Sequence, residues 1–195
     1  MRNTLLALGL ALAAAPLSAD IYTLDASHTE VGFQVTHLSV AKVRGRFTAY
    51  DAKIDINEKD VTKSKISISI DAASVSTGNP KRDGHLQNED FFDAAKNPKI
   101  AFKSTKIAKA ADGGYSVTGD LTIRGVTKPV TLKASLSEPF ETDWGTVKRA
   151  FSLSGAINRF DYQVGWNKKT KTGSLVVAEE VQLVIDGEID KPAKK

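Results

Sequence analysis

Apolar and polar residues alternate one by one along eight separate stretches of this chain: 31–35, 43–49, 66–72, 100–103, 115–123, 130–136, 151–158 and 180–186. Val31, Phe33 and Val35, for example, are interleaved with Gly32, Gln34 and Thr36, and Ile66, Ile68 and Ile70 with Ser67, Ser69 and Asp71. Successive side chains of a β-strand point to opposite faces, so a period of two means a strand with one buried and one wet face. Eight such strands have eight apolar faces to hide. Closing an antiparallel sheet on itself hides them in one lumen and leaves no open edge. A two-sheet sandwich would use the same alternation, and periodicity alone does not separate the two. The inward set mixes bulky Phe33, Phe47, Phe102 and Phe151 with small Ala49, Gly119 and Gly155, which can leave room for one small ligand in an eight-stranded barrel.

The punctuation agrees with an all-β chain. Asp112-Gly113-Gly114 is a tight-turn signal, because glycine accepts positive φ without steric cost, and Arg124-Gly125 ahead of Lys128-Pro129 makes a short hairpin connection. One segment, 80–95, reads as helical: Asn79 suits the N-cap and Pro80 the first helical position. No repeat, low-complexity linker or break in composition interrupts 20–195, which predicts a single domain.

The start of the chain has a different character. Met1-Arg2-Asn3 is short and basic, Leu5 to Ala15 is an unbroken apolar run, and Pro16-Leu17-Ser18-Ala19 ends in small residues. That layout predicts a secretory signal peptide over 1–19, cleaved after Ala19, and hence a periplasmic protein. The run is shorter than the roughly 20 apolar residues that span a bilayer, which argues against a retained membrane anchor. The chain has no cysteine, so a lipoprotein anchor, disulfides and thiol chemistry are excluded, and stability has to come from packing. The formal net charge of +4 is scattered among acidic residues and makes no nucleic-acid footprint.

Chemistry concentrates in 81–93, Lys-Arg-Asp-Gly-His-Leu-Gln-Asn-Glu-Asp-Phe-Phe-Asp, where ionisable side chains run into an aromatic pair. A site for a molecule with a polar head and a long apolar body needs both. Arg82 could hold an anionic or hydroxyl head group, with Asp83 orienting it and His85 adding a hydrogen bond. Alternatively, the three tie the start of the helix to the barrel rim. Phe91 and Phe92 should point to opposite sides, as core packing or with one ring gating the lumen. Arg159 could reach the head group or pair with Asp161, and Trp144 and Trp166 flank that strand where they could cover the mouth or touch a membrane surface.

Other chemistries find little support. His28, His37 and His85 lack the local grouping of zinc ligands, and no metal or cofactor is expected. His28 follows Asp25 and is expected to fix the entry of the first strand by hydrogen bonding. There is no Gly-x-Ser-x-Gly elbow and no phosphate-binding glycine loop, so no catalytic residue is assigned.

Read in order, several landmarks resemble the YceI-like family of periplasmic polyisoprenoid-binding proteins. They are Asp25 with His28, Phe33 and His37, Gly45 with Phe47, Arg82-Asp83 with His85-Leu86, Phe91-Phe92, Pro98 with Phe102, Gly119 with Leu121, Arg124 to Pro129, and Asn158-Arg159. The match runs from Tyr22 to Glu188. Thr29 stands where the family often has Ser, and Ala178-Glu179-Glu180 replaces a more usual Gly-Asp pair. The resemblance implies an eight-stranded lipocalin-like barrel that binds a long isoprenoid or fatty chain, often as a homodimer.

Together these readings predict a binding protein rather than an enzyme, a carrier or sequestering protein for an amphipathic lipid. The chain would lie against Phe33, Phe47, Ile68, Phe91, Phe92, Phe102, Leu121, Leu132, Phe151 and Leu183, with the head near Arg82, Asp83, His85 and Arg159. The rivals are an enzyme on such a lipid, with Asp83 and His85 as acid and base, and a structural barrel with a filled lumen.

Overall fold

A computed structural model describes residues 20–193; the predicted signal peptide lies outside the described residues. The strands, in chain order, are β1 (Asp20–His37), β2 (Ala41–Phe47), β3 (Tyr50–Ile56), β4 (Lys65–Asp71), β5 (Val75–Ser76), β6 (Lys99–Lys109), β7 (Tyr115–Ile123), β8 (Val126–Leu136), β9 (Phe140–Glu141), β10 (Thr146–Asn158) and β11 (Val177–Pro192). One α-helix, α1 (Pro80–Gln87), precedes β6. Eight strands pair antiparallel in a closed ring, β1-β3-β4-β6-β7-β8-β10-β11 and back to β1. The predicted fold class is the observed one: a lipocalin-like eight-stranded barrel with a short helix.

Most strands run past their alternating stretches, β1 starting at Asp20 and β11 ending at Pro192, and at two places the inward parity changes. The stretch 43–49 is not one strand: it ends at Phe47 and turns through Thr48-Ala49, and β3 begins at Tyr50. Ser74 holds the turn by accepting from the Thr48 amide, and Ala49 accepts from the Asp71 amide. It is β3, with Ile54 and Ile56 facing inward, that completes the ring. β2 instead pairs with the second half of β1 and carries β5 on its other side. β6 runs six residues past the predicted 103. A register shift between Ser104 and Lys106 adds one residue, so the inward parity changes from Ile100 and Phe102 to Ile107.

The small inward residues do not leave empty space. A Cβ on Gly119 would lie 2.4 Å from Cζ of Phe102, and one on Gly45 would lie 2.4 Å from Cζ of Phe33. At each glycine a neighbouring ring occupies the place a side chain would take. Ala49 sits in the exposed turn and faces no lumen.

The two ends of the barrel differ. At the end where β1 begins and β11 finishes, charged groups form a polar floor. Glu58 accepts from Arg149 Nη1 at 2.8 Å, from Lys191 Nζ at 3.1 Å and from the Tyr22 hydroxyl, while Lys191 also donates to Asp20. Arg149 is 6 % exposed and spends its Nε on the Ser137 carbonyl, so Glu58 is its only ion-pair partner among the described residues. Burial alone would raise the Glu58 pKa. Hydrogen bonds from Tyr22 and Lys191, and the Arg149 charge, outweigh it and hold the carboxyl below its ordinary value near 4.5.

Two predictions follow from this packing. A depressed carboxylate contributes stability that is present above its unfolded pKa and lost as pH falls through the folded one. Glu58→Gln should therefore cost of order 3 kcal/mol near neutral pH, by leaving Arg149 buried without its anion. It should also weaken the fall in Tm expected of the parent between about pH 5 and pH 3; equal slopes in thermal melts would refute this. Gly119→Ala should lose about 1–3 kcal/mol in urea unfolding, because the Phe102 ring must leave its place against β7.

Candidate functional site

The inward faces enclose a cavity of about 190 Å³ towards the end of the barrel that α1 covers. All ten side chains predicted to line a lumen do so: Phe33, Phe47, Ile68, Phe91, Phe92, Phe102, Leu121, Leu132, Phe151 and Leu183. Phe47 links two of them, with its ring 5.8 Å from Phe33 and 5.6 Å from Phe92. A second, smaller chamber of about 70 Å³ lies towards the floor and shares Ile54, Ile66, Phe151 and Leu153 with the first. Those four stand between the two apolar chambers.

The segment after α1 builds the lid. The helix starts as predicted, with Asn79 Oδ1 accepting from the Arg82 amide and Pro80 in the first turn, but it ends at Gln87 rather than 95. Asn88 caps it in extended backbone, and tight turns follow to Asn97. Those turns put both Phe91 and Phe92 against the lumen, where a strand would have sent them to opposite sides. Arg124, in the β7–β8 turn, donates to the Phe91 carbonyl at 2.9 Å and ties the lid to the rim. Trp166 lies tilted against Phe91 at 5.6 Å, and the His85 ring meets both edge-on, at 5.0 and 5.7 Å.

The four residues predicted for a head group fall in two places. Arg82 and Asp83 lie outside the cavity lining and converge on Thr77. Arg82 donates to its hydroxyl (2.7 Å) and carbonyl (2.9 Å), and Asp83 accepts from its amide (2.8 Å) and hydroxyl (2.5 Å). His85 Nε2 lies 2.8 Å from Asp90. Together these residues fasten the helix to the rim.

Arg159 is different. It opens the 3-10 turn Arg159–Tyr162, is 4 % exposed, and is the one charged side chain among the described residues lining the cavity. Its guanidinium donates to the carbonyls of Ala178 (2.9 Å), Val164 (2.5 Å) and Val177 (3.1 Å), and lies 4.1 Å from the centre of the Phe160 ring. It forms no ion pair with Asp161. Burial pushes its pKa down, and the Glu179 charge opposes that. Three of its five N–H groups are spent on backbone carbonyls, so the cation is held by main chain behind an otherwise apolar wall.

Three lining features gave no periodic signal. Tyr162 and Val164 come from the 3-10 turn and the loop after it, and Leu86 from the short helix, where no alternation exists to mark an inward face. Thr29 sits in the irregular part of β1, between residues 25 and 30, and its Oγ1 is buried in the cavity wall without a hydrogen-bond partner. Trp144, by contrast, is 72 % exposed beside the β9–β10 pairing, at the floor end and away from the mouth.

One group outside the lumen has the composition of a metal site. Asp25, His28 and Glu188 bring ligand atoms within 4.8 Å of one another. Lys148 Nζ lies 2.9 Å from both Asp25 and Glu188, however, and their hydrogen bonds raise its pKa well above the ordinary value. A bonded Ser27, then Lys148 and His28, hold the Asp25 carboxyl well below its usual range. A metal ion would have to displace an ammonium that already neutralises the acids. The Asp25–His28 hydrogen bond expected from their spacing forms, at 2.9 Å, but it lies within β1 at the register break and not at the strand's entry.

Comparison with known proteins places this barrel. The model of the YceI-like domain matches residues 22–189. Protein YceI of Escherichia coli is 35 % identical over 178 residues, covering 90 % of this chain and 89 % of that protein. The crystal structure of the Campylobacter jejuni YceI protein is 37 % identical, covers 89 % of this chain and 98 % of its own, and superposes with a TM-score of 0.68. A polyisoprenoid binding domain from Saccharophagus degradans covers 89 % and 98 % with a TM-score of 0.56 at 19 % identity, a likeness of fold alone. On the match across nearly all of the barrel, this chain belongs to the YceI-like family.

Proposed function

We propose that this protein is exported to the periplasm and there carries or sequesters a long-chain amphipathic lipid of the polyisoprenoid, isoprenoid-quinone or fatty-acid type. The observation that supports this most is the form of the lumen: two adjoining apolar chambers, with one cation, Arg159, in the wall near the covered end. Burying each CH₂ contributes about 0.8 kcal/mol, so a long chain is held firmly with few polar contacts. An apolar chain lies along Phe33, Phe47, Phe102 and Leu183 and reaches Phe151, between the two chambers. Its polar end lies nearest the buried charge of Arg159, beneath a rim that Arg82, Asp83 and His85 hold in shape. That a domain sharing this fold binds polyisoprenoid agrees with the reading. Catalysis has less in its favour, since the polar atoms of Asp83 and His85 are turned to Thr77 and Asp90 and away from the lumen.

Two measurements test this. Native mass spectrometry of protein isolated from its own cells should give a chain beginning at Asp20 and carrying one lipid that leaves only on denaturation. An uncleaved N-terminus would overturn the export reading. Phe102→Asp, which puts a carboxylate on the lumen wall, should reduce uptake of a long-chain isoprenoid by at least about tenfold at unchanged secondary structure. Undiminished uptake, or conversion of the lipid to a product, would overturn the carrier reading.

A further inference from the structure

We propose that the mouth of the barrel docks reversibly onto an anionic lipid bilayer through two neighbouring hairpin tips. The first is the β1–β2 turn. Leu38 and Ser39 take left-handed backbone, φ 52° and 58°, which is uncommon for a bulky residue such as Leu. The turn leaves Val40 87 % and Leu38 44 % exposed. The second tip is 168–176, closed by hydrogen bonds from Thr170 N to the Ser174 carbonyl (2.8 Å) and from Val176 N to the Lys168 carbonyl (2.9 Å). The Leu38 amide donates to the Val176 carbonyl at 2.8 Å, so the two tips form one surface.

The charge on that surface has one sign. Lys42 and Arg44 extend from the first tip along β2, and Lys168, Lys169 and Lys171 belong to the second. All five are exposed, and none forms an ion pair with a carboxylate of the described residues. At the floor end, by contrast, Lys148, Arg149 and Lys191 are each paired with carboxylates. The nearest acids in sequence, Glu179 and Glu180, lie further along β11, where Asn158 donates to Glu179 and Gln182 to Glu180. Two aliphatic side chains ringed by unpaired cations fit a negatively charged bilayer: the aliphatics enter the interface while the ammonium and guanidinium groups meet lipid phosphates.

The position of the tips gives the contact a use. Val35 and Val177, which adjoin them, both line the cavity, so the docked surface brings the mouth to the membrane. On the carrier reading, a lipid could then pass between bilayer and lumen with little exposure to water. The docking itself does not depend on that reading.

The test is co-sedimentation of the mature protein with vesicles of phosphatidylcholine alone or with about one third phosphatidylglycerol. Binding should require the anionic lipid and fall steeply with added salt. Val40→Asp should weaken it about fivefold or more, and Lys168→Glu with Lys169→Glu about tenfold or more. Lys106→Glu with Lys109→Glu makes the same charge change at the far end of the barrel and should leave it near the parent value. No binding to anionic vesicles, equal losses in both double variants, or an unaffected Val40→Asp would overturn the proposal. So would a tip variant that only splits a dimer in size-exclusion chromatography. Uptake of lipid from detergent by the same variants separates the two ideas: docking that fails while uptake persists leaves the carrier reading standing.

Discussion

Everything in this molecule depends on the pairing of β1 with β11. β11 runs along β1 from the Thr23–Asp190 pair to the His37–Val177 pair, and β1 changes its other neighbour on the way, from β3 to β2. One strand can serve two partners because it bends where its register slips, between Asp25 and Glu30. Without that pairing the sheet has two open edges and the apolar faces have no common interior. With it, the lumen has a wall on every side, and all that remains variable is how the ends are closed.

The ends are closed by opposite chemistry. The floor is polar and interlocked, with Glu58 shared by Tyr22, Arg149 and Lys191, which fastens the first strand, the β3–β4 connection and the last two strands. The mouth is aromatic: His85, Phe91 and Trp166 pack ring against ring, and single hydrogen bonds such as Arg124 to the Phe91 carbonyl hold them. Ring contacts can rearrange without leaving a buried charge unpaired, whereas parting Arg149 from Glu58 would do so. On the proposed carrier function, this asymmetry makes the mouth the end through which a ligand would pass.

The walls of this barrel are readable because each alternating stretch keeps its parity, and eight of the ten lumen side chains follow from that parity, with Phe91 and Phe92 marked by their pairing alone. Parity also explains the errors. Between Phe47 and Tyr50 the inward positions move from odd to even, and between Phe102 and Ile107 from even to odd. The first change is a turn and the second a bulge, and an alternation that simply stops looks alike in both cases. The head-group residues were less legible, because nothing in the order Arg-Asp-Gly-His says whether the side chains face a lumen or Thr77. Arg159 was visible only as an arginine near an aspartate. Its actual partners are backbone carbonyls, which carry no sequence identity.

The ring has a consequence for the order of events in folding. β1 is among the first parts of the barrel to be synthesised and β11 the last, yet the two are direct neighbours. Until β11 is made, β1 has an unpaired edge and the lumen lacks a wall. Local hairpins such as β6–β7 and β7–β8 can form early, but closure joins segments more than 150 residues apart in sequence (Thr23 with Asp190), which makes it a late and slow step. During that interval the chain exposes a strand edge and a row of phenylalanines, the features that invite aggregation. On the proposed export, the chain has this interval to survive beyond the membrane, and its yield there should be governed by how fast one pair of strands finds its register.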